Sequence, residues 1–408
     1  MRVVLFTGKG GVGKTTLAAA TAALLARSGR KVLVVSTDPA HSLGDALECE
    51  LGGEPTELEP GLSAAHIDTR ALLDDSWGPL RGHLRILLSG AGVDELVADE
   101  LTVLPGVEEL LALGEVRRAA ENGTWDVVIV DCGPTAETLR LLALPEALSG
   151  YLERLFPAHR RAVRGLLAGL TGAGRDAQPA WDRTVDALDV LAEQLTGLRA
   201  MLADHTTTSI RLVLTPERMV LAETRRTLTA LALHGLHVDG LVANRVLPGP
   251  PPSLRGPAGR WLRERHTEQQ AVLAELGGMP VSLRTAPHAA AEPTGIPALL
   301  EVARSLYGSA DPAPRAGAAP EPLLQIRRTA GRGRSLDSEF ELVLHLPGVV
   351  ASTLDLSRID DDLAVTAGPT RRMVALPSVL RRCTVSGARL SGDDLRVAFT
   401  PDPAAWLR

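Results

Sequence analysis

Short, continuously apolar runs alternate with longer helical stretches over most of the chain. Val3-Val4-Leu5-Phe6, the run from Lys31 to Ser36 and the run from Trp125 to Val130 are β-prone and lack polar alternation. That is the pattern of strands buried on both faces of a parallel sheet. Thr16 to Ala26 is alanine-rich and predicts a helix directly after the first run. Ser209 to Leu214 and the segment beginning Asp239-Gly240-Leu241-Val242 predict two more strands, separated by a helix reaching about Leu233, and Gly278 to Leu283 leads through Pro287 to a helix after Gly295. Strands alternating with helices predict an α/β fold, a mostly parallel sheet with helices on both faces.

Two stretches depart from that alternation. Residues 55–120 read as mainly helical around a short run at Ser63 to Ile67, and the chain between Leu148 and His205 is rich in leucine and alanine. In the latter, Val185, Leu188, Leu191, Leu195, Leu198 and Leu202 fall on one helical stripe. These stretches predict an inserted helical subdomain. Such stripes are most often core, and a groove for an apolar helix would reuse the same residues.

The pattern changes after Tyr307. Gly308 to Pro322 is rich in Pro, Ala and Gly and reads as a linker. Beyond it, Phe340–Leu346, Leu354–Leu356, Leu363–Thr366, Arg372–Leu376 and Asp394–Phe399 are short alternating runs with polar breaks. They predict a small C-terminal all-β sandwich. The expected organisation is therefore 1–307, a linker at 308–322, and 323–408.

The first strand and the first helix enclose Gly8-Lys9-Gly10-Gly11-Val12-Gly13-Lys14-Thr15-Thr16. Glycines there let backbone N–H groups converge on phosphate oxygens, and the helix N-terminus adds positive potential. Lys14 should reach the β- and γ-phosphates of ATP, and the Thr15 hydroxyl should ligate Mg²⁺. The sheet is thus expected to be that of a P-loop NTPase. Asp131 follows an apolar strand directly, which suits a carboxylate that holds Mg²⁺, usually through water. The second strand delivers Thr37-Asp38-Pro39-Ala40-His41-Ser42-Leu43-Gly44-Asp45 to its C-terminal end, where ligands bind in open α/β sheets. From that stretch alone, orienting water or metal and simply forming a turn or helix cap are equally good readings.

Lys9 is a second lysine in a loop that already has one. With it, the loop resembles the deviant P-loop of the family that includes the arsenite-pump ATPase, the tail-anchored-protein targeting ATPase, nitrogenase iron protein and the septum-site ATPases. The resemblance implies that Lys9 reaches across a dimer interface to the partner's nucleotide. The segment from Ser36 to Leu47 closely resembles the first switch of the arsenite-pump and tail-anchored-targeting branch, which implies that Asp45 polarises the attacking water and that Asp38, Pro39 and His41 belong to the same switch. Asp131, Pro134 and Thr135 resemble the start of the second switch, although Ala136-Glu137 stand where Gly-His is commoner. Asn244 and Arg245 resemble the family's adenine-binding segment, and Pro287 its adenine-side loop; without the resemblance, a structural Asn in a turn is the better reading of Asn244. Residues 338–400 resemble the α-crystallin domain of small heat-shock proteins, an appendage found in one branch of the targeting family.

Composition narrows the partners. A net charge of −6 argues against general nucleic-acid binding, and Arg327, Arg328, Arg332 and Arg334 form only a local basic cluster. The three cysteines, Cys49, Cys132 and Cys383, are far apart and suggest neither disulfides nor a thiolate metal site. No zinc site is expected, and the cysteine pair that clamps targeting-branch dimers through zinc is missing. No uncharged apolar run reaches the roughly 18 residues of a membrane span, and the expected location is cytoplasmic. The expected activity is ATP hydrolysis with Mg²⁺ by a homodimer, or a heterodimer with a paralogue, that acts on an apolar client helix or a membrane-protein partner. The alternatives are a chaperone-like holding or adaptor protein with regulatory ATP binding, and an ATPase subunit for arsenite or anion export.

Overall fold

The computed structural model describes residues 1–68, 72, 107–134, 193–194, 196–314, 324–332 and 335–406. The chain divides into two compact units, Met1–Thr208 with Ala291–Arg315, and Ser209–Ala290 with Ala316–Arg408.

In the first unit, β1 (Arg2–Gly8), β2 (Val32–Ser36), β3 (Thr56–Glu59), β4 (Leu62–His66) and β5 (Val127–Pro134) lie in the order β3-β4-β2-β5-β1. Parallel pairing joins β1 to β5, β5 to β2 and β2 to β4, and only β3 runs antiparallel at the edge. Every residue of β1, β2 and β4 is buried, as in strands covered on both faces of a parallel sheet. The register sets Phe6, Ser36 and Asp131 side by side, with His66 next to Ser36. Four strands thus end together at one edge of the sheet.

The helix α1 (Lys14–Arg27) carries a run of buried alanines, Ala18, Ala19, Ala20, Ala22 and Ala23. Side chains this small let the helix lie close to its neighbours, here the sheet and the last helix of this unit, Gly295–Tyr307. The buried Thr21 hydroxyl and the Tyr307 hydroxyl share a hydrogen bond of 2.8 Å across that contact. A short helix α2 (Ser42–Leu47) follows β2, and α3 (Val107–Asn122) precedes β5. Within the stretch expected to be mainly helical, the short run at Ser63 to Ile67 overlaps β4, and Thr56–Glu59 adds the strand β3 beside it. Residues 308–314, in the expected linker, are tied to the first unit by Arg30, which donates to the Ala313 carbonyl at 2.8 Å and pairs with Asp311.

In the second unit, β6 (Thr208–Leu214), β7 (Val238–Val246) and β8 (Leu283–Pro287) are parallel, with α4 (Arg218–Leu233) and α5 (Gly256–Gly277) in the connections. Their core is built from Leu212, Leu214, Leu228, Leu241 and Leu276. At its margin, Arg211 holds Asp239 through two nitrogens, at 2.9 and 3.2 Å, and Ser209 donates to the same carboxylate at 2.8 Å. Arg211 and Asp239 side chains are only 7% and 14% exposed. Removing one partner of a buried pair leaves the other charge desolvated. Asp239→Ala is therefore expected to cost about 3 kcal/mol of stability, read from a urea titration; a loss below about 0.5 kcal/mol would show that the pair contributes no more than a surface ion pair.

The C-terminal part of this unit is an antiparallel sandwich. One sheet has the order β14-β15-β10-β9 and the other β11-β12-β13, from β9 (Leu324–Ala330), β10 (Glu339–His345), β11 (Leu354–Ile359), β12 (Asp362–Ala367), β13 (Thr370–Ala375), β14 (Cys383–Ser391) and β15 (Asp394–Pro401). Alternating residues of β15 fill the core with Phe340, Leu342, Leu363 and Val365, and Leu233 from the end of α4 joins the same cluster. Thr229 of α4 donates to the Pro347 carbonyl at 2.9 Å, and Arg372 of β13 donates to the Leu233 carbonyl. The sandwich is seated on α4.

Candidate functional site

The turn between β1 and α1 is shaped by its glycines. Gly11 and Gly13 have φ of 78° and 93°, a left-handed region in which a Cβ is strained. A Cβ added at Gly10 or Gly11 would meet nothing within 4 Å among the described residues. The N-cap of α1 is Gly13, which has no side chain to cap it, and the first turn contains no acid. The first N–H groups of the helix are left available to an anion at the place the glycine loop borders.

Gly8 ends β1 opposite Pro134 of β5, Val12 is buried, and Lys14 is buried as the first residue of α1. Lys9 is exposed, and Thr16 is half-buried. Beside Lys14, the Thr15 hydroxyl donates to Asp131 Oδ2 at 2.8 Å and lies 3.1 Å from the Ser42 hydroxyl. Ser36 also donates to Asp131 Oδ2, at 3.2 Å. Asp131 is fully buried, and its Oδ1 has no hydrogen-bond partner among the described residues. Burial pushes its carboxyl up to about 6 against the opposing pull of Thr15, Lys14 and Ser36, while Asp38 adds to the rise. A buried carboxylate with one oxygen unsatisfied, next to a threonine hydroxyl, is a donor set suited to a hard divalent cation. Thr15 and Asp131 fit Mg²⁺.

The switch residues lie around this pair. The Asp38 amide bonds the Ser36 hydroxyl at 3.2 Å, and the Asp38 carboxylate accepts from the Ala40 amide at 3.1 Å, folding 38–40 into a tight turn with Pro39 exposed inside it. His41 follows with φ 55°, and α2 then carries Ser42 towards Thr15 and presents Asp45 at the surface. Thr135 and the continuation of the second switch lie outside the described residues.

Asn244, Arg245 and Pro287 belong to the second unit. Asn244 Oδ1 accepts from the Arg245 amide at 2.9 Å, Arg245 has φ 58°, and Pro287 ends β8 opposite Val246. Sequence reasoning missed the residue that holds this turn. Gln269 of α5 is buried, accepts from the Leu247 amide at 2.8 Å and donates to the Arg245 carbonyl at 3.3 Å. Ser36 and Ser42 lie in the segment read as the first switch, where neither was given a role of its own, and His66 beside Ser36 was missed. A polar residue closing an apolar strand was the available signal for Ser36 and His66.

A model of anion-transporting ATPases matches residues 1–308, and a model of the HSP20-like domain found in ArsA matches residues 337–399. The chain belongs to the anion-transporting ATPase family. As a member of this ATPase family, it binds ATP with Mg²⁺ through the Walker-type loop and hydrolyses it. The α-crystallin resemblance is confirmed as the HSP20-like domain. Relatives of the family member include Protein Rv2184c of Mycobacterium tuberculosis, 42% identical over 427 residues that cover 99% of this chain and 97% of that one. ATPase get3 of Aspergillus niger is 31% identical over 255 residues, covering 60% of this chain and 73% of that one. Among the described residues, no group of three or more His, Cys, Asp or Glu is placed to hold a metal, and no helix is long and apolar enough to cross a membrane.

Proposed function

We propose that this ATPase is a dimeric switch whose hydrolysis cycle drives the handling of an apolar segment of a client protein. The observation that carries the reading is the meeting of Lys14, Thr15, Asp131 and Ser42, P-loop with switch, at one sheet edge. The HSP20-like domain on the same chain supports a protein client. In this reading, the backbone of Gly8 to Thr16 cradles the phosphates, Lys14 neutralises the transferring phosphoryl, and Asp45 orients the attacking water. Thr15 and Asp131 would hold Mg²⁺. When bound, that ion offsets the charge of the β- and γ-phosphate oxygens. Asn244, Arg245 and Pro287 take the adenine side, while Asp38, Pro39, His41, Pro134 and Thr135 respond to the γ-phosphate. Lys9, exposed on the loop, completes the partner's site.

Light scattering tests the dimer. Mg²⁺ with a non-hydrolysable ATP analogue is expected to double the solution mass of the wild type and to leave Lys9→Ala monomeric. A mass indifferent to both nucleotide and Lys9 would remove the cross-subunit switch. The family description favours one second reading, transport of an anion. ATP turnover stimulated by an oxyanion and not by an apolar peptide would select it.

A further inference from the structure

At the C-terminal end of β4, His66 is buried, and the ring of His41 lies against it with centroids 4.0 Å apart and planes inclined by 33°. The two residues could hardly be held more differently. The backbone of His66 is fixed in the sheet, where its amide donates to the Gly52 carbonyl at 2.8 Å and the next amide, of Ile67, donates to Ser36 at 3.0 Å. His41 is exposed, and its backbone is left-handed at φ 55°. A residue with a Cβ does not rest in that region without support from its surroundings. His41 precedes α2 but makes no side-chain capping bond to it. Its ring rests on His66 instead.

What His41 controls lies directly after it. Ser42, one residue on, reaches the Thr15 hydroxyl, and Asp45 lies within the single short helix that His41 begins. The far end of α2 is pinned as well, since Glu48 is left-handed at φ 56° and its carboxylate accepts from Thr294 at 2.8 Å. A short helix held at both ends cannot shift one end without displacing what it carries.

We propose that His66 is a positioning residue for ATP hydrolysis: its buried ring seats His41 and thereby sets the left-handed entry into α2 that places Ser42 and Asp45. The proposal rests on the reading of α2 as the switch helix. The seat is also sensitive to charge. Burial and the neighbouring His41 hold the His66 imidazole below its ordinary range, against the opposing pull of Asp68 and Asp38, which favours the neutral ring. Its Nδ1 is buried without a hydrogen-bond partner among the described residues, and none of them offers an acceptor to a proton arriving there on acidification. Protonation should weaken the seat and slow turnover.

The test is basal Mg-ATP hydrolysis of the full chain between about pH 5.5 and 8.5. Variants are His66→Ala, His66→Phe, His41→Gly, the Ala and Gly changes combined, and Asp45→Asn. His66→Ala is expected to lower kcat about 10-fold at pH 8, because a small displacement of a catalytic group is costly. Glycine adopts a positive φ without a seat, so adding His66→Ala to His41→Gly should cost less than 2-fold more, roughly no further loss. His66→Phe keeps an aromatic seat without a titrating group, and its acid limb should be shallower than that of the wild type, Asp131 being common to both. Fully additive losses, or an unchanged acid limb in His66→Phe, would overturn the proposal. If His66→Ala does not fold, the limb of His66→Phe decides alone. Wild-type kcat in His66→Ala beside a loss of about 100-fold in Asp45→Asn would refute the seat and leave the switch reading standing. Full activity in Asp45→Asn would refute the switch reading, and the proposal with it.

Discussion

Asp131→Asn is expected to make the nucleotide-free protein more stable at pH 8 while reducing ATP turnover about 1,000-fold. The stability effect comes from one buried carboxylate. Among the described residues Asp131 Oδ1 has no hydrogen-bond partner, and burial raises the carboxyl from its ordinary 3.8 to about 6. A group whose pKa rises on folding contributes stability that is fully present below its unfolded value and is lost as pH rises through its folded one. For Asp131 that contribution is complete below about 3.8 and lost above about 6. At pH 8 the folded protein therefore bears the whole cost of the buried charge, on the order of 2–3 kcal/mol for a shift of this size. An amide keeps an acceptor for Thr15 and Ser36 and carries no charge. Thermal or urea unfolding of wild type and variant at pH 8, 6 and 4 should show a gain of roughly 2 kcal/mol that shrinks towards zero at the acid end. A variant less stable than wild type at pH 8 would mean that the hydrogen bonds to Asp131 outweigh its desolvation. The activity loss has a separate origin, since an amide is a poor ligand for Mg²⁺ beside Thr15.

The second large effect is expected from Lys14→Ala. Lys14 is only 5% exposed at the first position of α1, where its ammonium lies close enough to Asp131 to hold that carboxyl down. A cation fixed at a glycine-lined turn needs no rearrangement to meet a phosphate. Its loss should reduce kcat about 1,000-fold or more and weaken Mg-ATP binding, read by single-turnover hydrolysis and by titration with a fluorescent ATP analogue. Lys14→Arg should recover little of this, because a planar guanidinium does not fit where a compact ammonium is buried. Retention of more than about a tenth of wild-type turnover in Lys14→Ala would remove Lys14 from its assigned role.

Different parts of the site were legible to different degrees. The P-loop and Asp131 could be read because each is a contiguous signal, an apolar strand followed at once by a chemically distinctive residue. Edge strands were harder. In β14 only Cys383 is fully buried and most other residues are exposed, and β3 is exposed or half-buried, so neither shows the alternation that marks a strand with one covered face. Arg327 and Arg328 drew attention as charges, whereas in the structure they lie on β9, paired with β10. Gln269 supports the turn at Asn244 from a helix that begins well after it, and no local pattern announces such a contact.

By itself the sequence determined the alternation of buried strands and helices, the phosphate loop, the family and the presence of a C-terminal β sandwich. Those features depend on neighbours along the chain, through periodicity, glycine content and motif spacing. Only the tertiary structure decided that Thr15, Ser36, Ser42 and Asp131 share one hydrogen-bond cluster, that His41 rests on His66, and that the sandwich sits on α4 through Leu233. Each of these depends on strand order and on which side chains lose water together. Residues far apart in sequence meet because β1, β2, β4 and β5 end at the same edge, and sequence spacing carries no record of that edge.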